Sequence, residues 1–193
     1  MNKFRWYTPS IYYELRSILC FVDRMKRICL LWYGPYSVAD LLETFKQSVI
    51  FSDEKYPALN NFGFYMYLDQ SLSRSVYIGQ ASDGSPRSLR NRIRWEITKD
   101  GIGCALSQFS KDCQESDIDK LSLVLKLAHI KEATDDGNQI QIDLNLMNDV
   151  EMALIHEQRK TVINKRGKKR YRGRSIEILN SGNFAPLPEI IRK

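Results

Sequence analysis

The stretch from residue 60 to residue 81 leaves the chain the fewest ways to fold. Phe62, Phe64, Met66 and Leu68 alternate with Gly63, Tyr65, Tyr67 and Asp69, and a period of two gives one aliphatic face only on a β-strand. After a polar stretch, DQSLSRS, Val76 and Ile78 alternate with Tyr77 and Gly79 in the same way. Two such segments around a polar turn predict an antiparallel hairpin. Its register places the aliphatic residues on one face and leaves Tyr65 and Tyr77 together on the other.

The rest of the chain supplies covers for that hairpin. From Pro9 to Tyr33, Ile11, Leu15, Ile18, Leu19, Val22, Met25 and Cys29 recur at helical spacing, which predicts one long helix or two, stopped by Gly34-Pro35. Ser37 with Asp40 resembles a capping box opening a second helix to about Ser48, with Val38, Leu41, Leu42 and Phe45 inward. Pro86 suits the first turn of a helix running to about Lys99. A third strand is expected over LSLVLKLAHI, residues 121–130, then an Asp136-Gly137 turn, a possible extra strand over QIQIDL, and a helix from about Met147 to Arg159. The order β-β-α-β-(β)-α is an α+β pattern.

At 193 residues the chain suits a single domain. It divides into a helical N-terminal arm (1–59), a core (60–164) and a basic C-terminal segment (165–193). No apolar run is long enough to span a bilayer, and MNKFRWYTPS has no apolar leader core, so a cytoplasmic protein with no membrane partner is expected. Cys20, Cys29, Cys104 and Cys113 match neither short zinc spacings nor a disulfide framework and read as buried thiols. His129 and His156 form no ligand or triad motif, so any metal site must rest on carboxylates. The net charge of +6 is concentrated: nine Lys and Arg residues and no acid lie between Arg159 and Arg174. Within that run Lys165, Arg166, Lys168, Lys169, Arg170, Arg172 and Arg174 are expected to contact a phosphate backbone.

Gly63-Phe64-Tyr65, eleven residues, and then Tyr77-Ile78-Gly79 resemble the paired GIY and YIG motifs of a nuclease superfamily. Ser88-Leu89-Arg90-Asn91-Arg92 is similar to that family's L-x-x-R helix, with Arg92 as the matching arginine. Glu151, Leu154-Ile155 and Asn164 resemble its closing segment. The resemblance covers about Phe62 to Asn164. It implies a small mixed or antiparallel three-stranded sheet flanked by helices, here with a helical N-terminal extension, and a catalytic set of Tyr65, Tyr77, Arg92, Glu151 and Asn164, to which Glu96 is added as a candidate where the chain departs from the family pattern.

Residue geometry agrees with part of that set. At about 100° per residue, Glu151 projects among Met147, Val150, Leu154 and Ile155, where a carboxylate needs a partner or a metal. Glu157, nearer the stripe's edge, is the second candidate. By resemblance Glu151 would hold Mg2+ or Mn2+ near the leaving oxygen. Arg92 would clamp a phosphate oxygen with its planar fork, and Tyr77 would hydrogen-bond the phosphate or its partner tyrosine. One turn after the arginine this family usually has His or Tyr; here it is Glu96. The general base is thus Tyr65 or Glu96, the latter ionised at neutral pH without tuning, or else the site has lost activity and Glu96 is an ordinary i,i+4 partner of Arg92.

The compact chain resembles the family's small type II restriction endonucleases, which act as homodimers on palindromic double-stranded DNA. The competing reading is a non-catalytic nucleic-acid-binding module of the same fold.

Overall fold

A computed structural model describes residues 25–47, 55–82, 88–98, 106–165, 167–168 and 170–193. In chain order these form β1 (Lys26–Ser37), α1 (Val38–Lys46), β2 (Gly63–Leu68), β3 (Ser75–Ala81), α2 (Leu89–Thr98), α3 (Gln108–Glu115), β4 (Val124–Asp135), β5 (Asn138–Gln139), α4 (Leu144–Glu157), β6 (Ile176–Gly182) and β7 (Ile190–Arg192). A short 3-10 turn, Lys120–Ser122, leads into β4. The architecture is mixed α+β. No helix among the described residues is long and apolar enough to cross a membrane.

The expected hairpin is β2–β3, antiparallel, with Tyr65 opposite Gly79 and Tyr67 opposite Tyr77. The sheet is larger than the expected three strands: seven, in the order β3-β2-β4-β1-β6-β7 with β5 beside β4. β1 is the main correction. Helical spacing predicts that residues 26–33 end a helix, yet they form a central strand, antiparallel to β4 and parallel to β6. ICLLWY is apolar at every position, so it satisfies either period, and two flanking strands decide the outcome. Ile28, Leu30 and Trp32 are buried, and the Trp32 indole N–H donates to Asn180 Oδ1 at 2.9 Å. Gly34-Pro35 does not stop a helix; it sits at an irregularity of β1 between Tyr33 and Tyr36. A Cβ on Gly34 would come within 2.8 Å of the Leu125 carbonyl oxygen, so only glycine fits there.

The segments set apart as arm and tail therefore contribute strands to the same sheet as the core; the first part of the expected N-terminal helix lies outside the described residues. Ser37 caps α1 as expected, accepting from the Asp40 N–H. QIQIDL yields only the two-residue β5, because Asp143 leaves the ladder to cap α4 by accepting from the Leu146 N–H at 2.6 Å.

Each sheet face carries its own core. Phe64, Met66, Leu68 and Ile78 join Ile28, Leu30, Trp32, Ile176, Ile178 and α4 on one face. Tyr65, Tyr67 and Tyr77 join α1, α2 and α3 on the other. Val76, expected with the aliphatics, lies on the tyrosine face, because the hairpin register shifts after Tyr67 and a one-residue slip swaps faces. The consequence for function is that β3, at the end of the sheet, is flanked by α3 on one face and α4 on the other.

Candidate active site

Tyr65 and Tyr77 share a face as the alternation predicts, and Gly79 explains how the first of them is seated. A Cβ at Gly79 would lie 2.2 Å from the Tyr65 hydroxyl oxygen and 2.3 Å from its Cζ. The missing side chain of Gly79 is the space in which the Tyr65 ring rests.

From that position the Tyr65 hydroxyl donates to Glu96 Oε1 at 2.6 Å. Arg92 Nε donates to the same Glu96 oxygen at 2.9 Å and to the Tyr65 oxygen at 3.2 Å. The Tyr67 hydroxyl donates to Glu96 Oε2 at 3.3 Å. Phe109 of α3 closes the group, stacking on Tyr67 at 4.1 Å and meeting Tyr77 edge-on at 5.1 Å. Tyr65 and Glu96 have no solvent exposure.

This corrects the reading of Glu96 as a carboxylate ionised without tuning. Burial raises its pKa, and the Arg92 charge with the hydrogen bonds from Tyr65, Tyr67 and Arg92 opposes that rise. Burial, then the nearby Glu96 charge, holds the Tyr65 hydroxyl well above the usual phenol range. Burial works against the Arg92 charge, but Tyr65 and Glu96 more than offset it, so the guanidinium stays cationic. The i,i+4 pair of Arg92 and Glu96 exists, and it is one side of a larger hydrogen-bonded group.

At the outer edge of β3 lies a cleft of about 970 Å3, lined among others by Tyr77, Gln80, Arg92, Asp112, Glu151 and Lys165. Glu151 is half-buried, at the border of the α4 stripe where inward burial was expected. It shares that border with Asn148 and Ile155, which also line the cleft, as spacings of three and four on a helix require. Gln80 Nε2, at the end of β3, donates to Asn148 Oδ1 at 2.5 Å and to Glu151 Oε2 at 3.3 Å. The other amide atom, Gln80 Oε1, is buried with no hydrogen-bond partner. Glu157 points elsewhere, 2.9 Å from Lys193.

The expected set thus splits in two. Tyr77, Arg92, Glu151 and Asn164 line the cleft, whereas Tyr65 and Glu96 stand behind Arg92 and do not. Asn164 spends both amide atoms on β3, accepting from the Ile78 N–H at 3.0 Å and donating to the Ile78 carbonyl at 2.7 Å. It is a clamp on the edge strand, and it delivers Lys165 to the cleft. There Lys165 lies 2.8 Å from Glu115 and 3.7 Å from Asp112.

The basic run divides as well. Arg170 and Arg172 are exposed and Lys168 is half-buried, while Arg166 and Lys169 lie outside the described residues. Arg174 makes an internal ion pair, with Nε 2.5 Å from Asp149 Oδ2 on α4. The Tyr171 hydroxyl donates to the Arg174 carbonyl at 2.6 Å, fixing that end of the run.

Sequence reasoning missed Gln80, Asn148, Asp112 and Trp95. Trp95 lines the cleft and stacks under the Arg92 guanidinium at 5.1 Å. Asp112 is almost wholly buried; its Oδ1 accepts from Gln108 Nε2 at 2.6 Å, and its Oδ2 has no hydrogen-bond partner. Only Gln80 and Asn148 carried a positional signal, the first directly after YIG and the second one turn before Glu151. Of the cysteines, Cys29 and Cys113 are free thiols, and burial with the neighbouring Asp112 pushes Cys113 up to about 12; Cys20 and Cys104 lie outside the described residues. Neither histidine lines the cleft. Comparison with family models, curated proteins and solved structures finds no match for this chain.

Proposed function

We propose that the chain is a metal-dependent endonuclease of GIY-YIG type that hydrolyses phosphodiester bonds in double-stranded DNA, and that its role is site-specific restriction as a cytoplasmic homodimer. The observation that carries this reading is the convergence of Tyr77, Arg92 and Glu151 on one cleft, from β3, the helix that follows it and the later helix α4. The motif order from Gly63 to Asn164 supports it independently.

The chemistry follows from the lining. Arg92 stays cationic and offers a planar fork to a phosphate oxygen. Burial, with Glu96 next, raises the Tyr77 hydroxyl, so it remains protonated and can donate to the same phosphate. Lys165 adds a second cation near Asp112. Yet a polyanion entering here also meets the carboxylates of Glu151 and Asp112, while the Arg92 charge is already shared with Glu96. Extra positive charge is needed, and the Glu151 carboxylate on the cleft wall suits Mg2+ or Mn2+, which take oxygen ligands and retain waters. When bound, such an ion supplies Lewis-acid stabilisation of the leaving 3′-oxygen. Tyr65 and Glu96 act in this arrangement by positioning Arg92.

The second reading, a nucleic-acid-binding module without catalysis, is favoured by one observation: both candidate general bases are sealed from the cleft. Incubating plasmid with the purified chain and Mg2+, with and without chelator, separates the two. Discrete chelator-sensitive fragments support restriction. Plasmid that shifts on a gel but stays intact supports the binding module.

A further inference from the structure

We propose that Gln80 and Asn148 are ligands of the divalent cation, their side-chain amide oxygens joining Glu151 to make a three-oxygen site on the wall of the cleft. This rests on the nuclease reading for the cation's purpose, but not for the geometry. Two oxygens from successive turns of α4, Asn148 Oδ1 and Glu151 Oε2, converge on one donor, Gln80 Nε2, at 2.5 and 3.3 Å. They already surround a point that favours positive charge.

The other end of the same amide carries the second observation. Gln80 Oε1 is buried and lacks a hydrogen-bond partner, an arrangement that leaves a desolvated acceptor unsatisfied. Amide nitrogen and oxygen have nearly the same size, and a half-turn about the terminal side-chain bond exchanges them. After that rotation Oε1 faces the same point as Asn148 Oδ1 and Glu151 Oε2. Three oxygens would repel one another alone, and a cation between them turns the repulsion into coordination. The amide thus serves both states: its N–H2 holds the two acceptors together without the ion, and its oxygen joins them around it.

The donor set also fixes the class of ion. One carboxylate and two neutral carbonyl oxygens, with no thiolate or imidazole in the cleft lining, suit a hard ion such as Mg2+ or Mn2+. A single negative charge among the ligands implies weak binding, with several waters kept.

Binding of Mn2+ to the full chain, read from the electron paramagnetic resonance signal of free Mn2+, tests the proposal without any need for cleavage. Gln80→Leu and Asn148→Leu should each weaken Mn2+ binding by about tenfold or more. Gln80→Glu gives the sharper result, because it adds a charged oxygen at the same place and should tighten binding several-fold. On the proposal Asn148→Leu reverses that gain, whereas in a mere hydrogen-bonded strut between β3 and α4 the gain comes from the added charge beside Glu151 alone and survives Asn148→Leu. Thermal melts confirm that each variant is folded, and Gln80→Glu keeps the question answerable if the leucine variants are not. Glu151-dependent uptake that ignores all three substitutions overturns the proposal and leaves the nuclease reading standing. So does the absence of any Glu151-dependent uptake at millimolar Mn2+. Chelator-resistant cleavage in the plasmid digest, by contrast, overturns the metal-dependent nuclease reading itself.

Discussion

Replacing Gly79 by alanine adds one methyl group where the structure has no room for it. The new Cβ would sit 2.2 Å from the Tyr65 hydroxyl oxygen, 2.3 Å from Cζ and 2.8 Å from Cε2, against ordinary contacts of about 3.5–4.0 Å. The ring cannot give way at the surface, since Tyr65 is fully buried. Overpacking of this kind costs about 1–3 kcal/mol. Moving the ring also pulls the hydroxyl from Glu96, and a hydrogen bond to a charged group contributes about 1.5–3 kcal/mol. The sum is a loss of about 2.5–6 kcal/mol, a large part of a typical domain's stability of about 5–15 kcal/mol. Urea denaturation followed by circular dichroism measures it. The stricter check is a double-mutant cycle with Tyr65→Leu, which removes the ring that alanine strikes. The two changes together should cost less than their sum by most of the Gly79→Ala penalty, because both of its parts act through the Tyr65 ring. A Gly79→Ala variant within about 0.5 kcal/mol of wild type, the range of an ordinary surface substitution, or a cycle that is additive, would falsify the account of why glycine stands there.

The remaining expectations concern charge. Glu151→Gln should abolish plasmid cleavage while gel-shift affinity for DNA stays nearly constant, and retained cutting at ordinary Mg2+ would move the metal away from α4. Neutralising Lys168, Arg170 and Arg172 should lower the slope of log affinity against log salt by about 0.9 for each phosphate that is no longer paired with a cation; an unchanged slope makes them a solvated surface. Arg174→Met should leave that slope alone and instead destabilise the fold by about 1–3 kcal/mol, less than for a fully buried pair because Arg174 is 39% exposed against 12% for Asp149; a reduced salt slope with unchanged stability would return Arg174 to the DNA-binding surface. Burial holds the Glu96 carboxyl above its ordinary 4.5, so the folded chain binds that proton more tightly than the unfolded one. Its contribution is complete below that value and is lost as pH rises through the folded pKa; urea midpoints of wild type relative to Glu96→Gln should fall across that window, and a rise would refute the sign.

What the sequence discloses and what it hides follow from the range of the interactions involved. The hairpin and the shared face of Tyr65 and Tyr77 are set by a two-residue alternation and need no partner to be read. The Ser37 cap of α1 is equally local. β1 is not, because ICLLWY fits a strand or a helix until β4 and β6 are in place on either side. α3 gives almost no signal, since Phe109 and Cys113 are the apolar residues it buries, yet Phe109 stacks on Tyr67 and meets Tyr77 edge-on. The tyrosine face is thus covered in part by a helix that periodicity does not announce. The same holds for Asp112, which reaches the cleft only because α3 flanks β3.

Position 96 brings local pattern and tertiary surroundings together. A buried carboxylate needs donors, and three reach it: the Tyr65 and Tyr67 hydroxyls and Arg92 Nε. Tyr65 and Tyr67 share a strand face because they are two residues apart, and Arg92 shares a helix face with Glu96 because they are four apart. Tyr-x-Tyr and Arg-x-x-x-Glu are thus the two halves of one hydrogen-bonded group, written in separate parts of the chain. A neutral imidazole, one of the two side chains that the resemblance leads one to expect at this place, accepts a single hydrogen bond. It could satisfy one of the three donors and would leave the others facing a ring nitrogen that itself donates or a carbon edge. Glutamate at 96 is therefore matched to Tyr67 and Arg92, and its exchange for histidine alone would dismantle the group that holds Arg92 against the cleft.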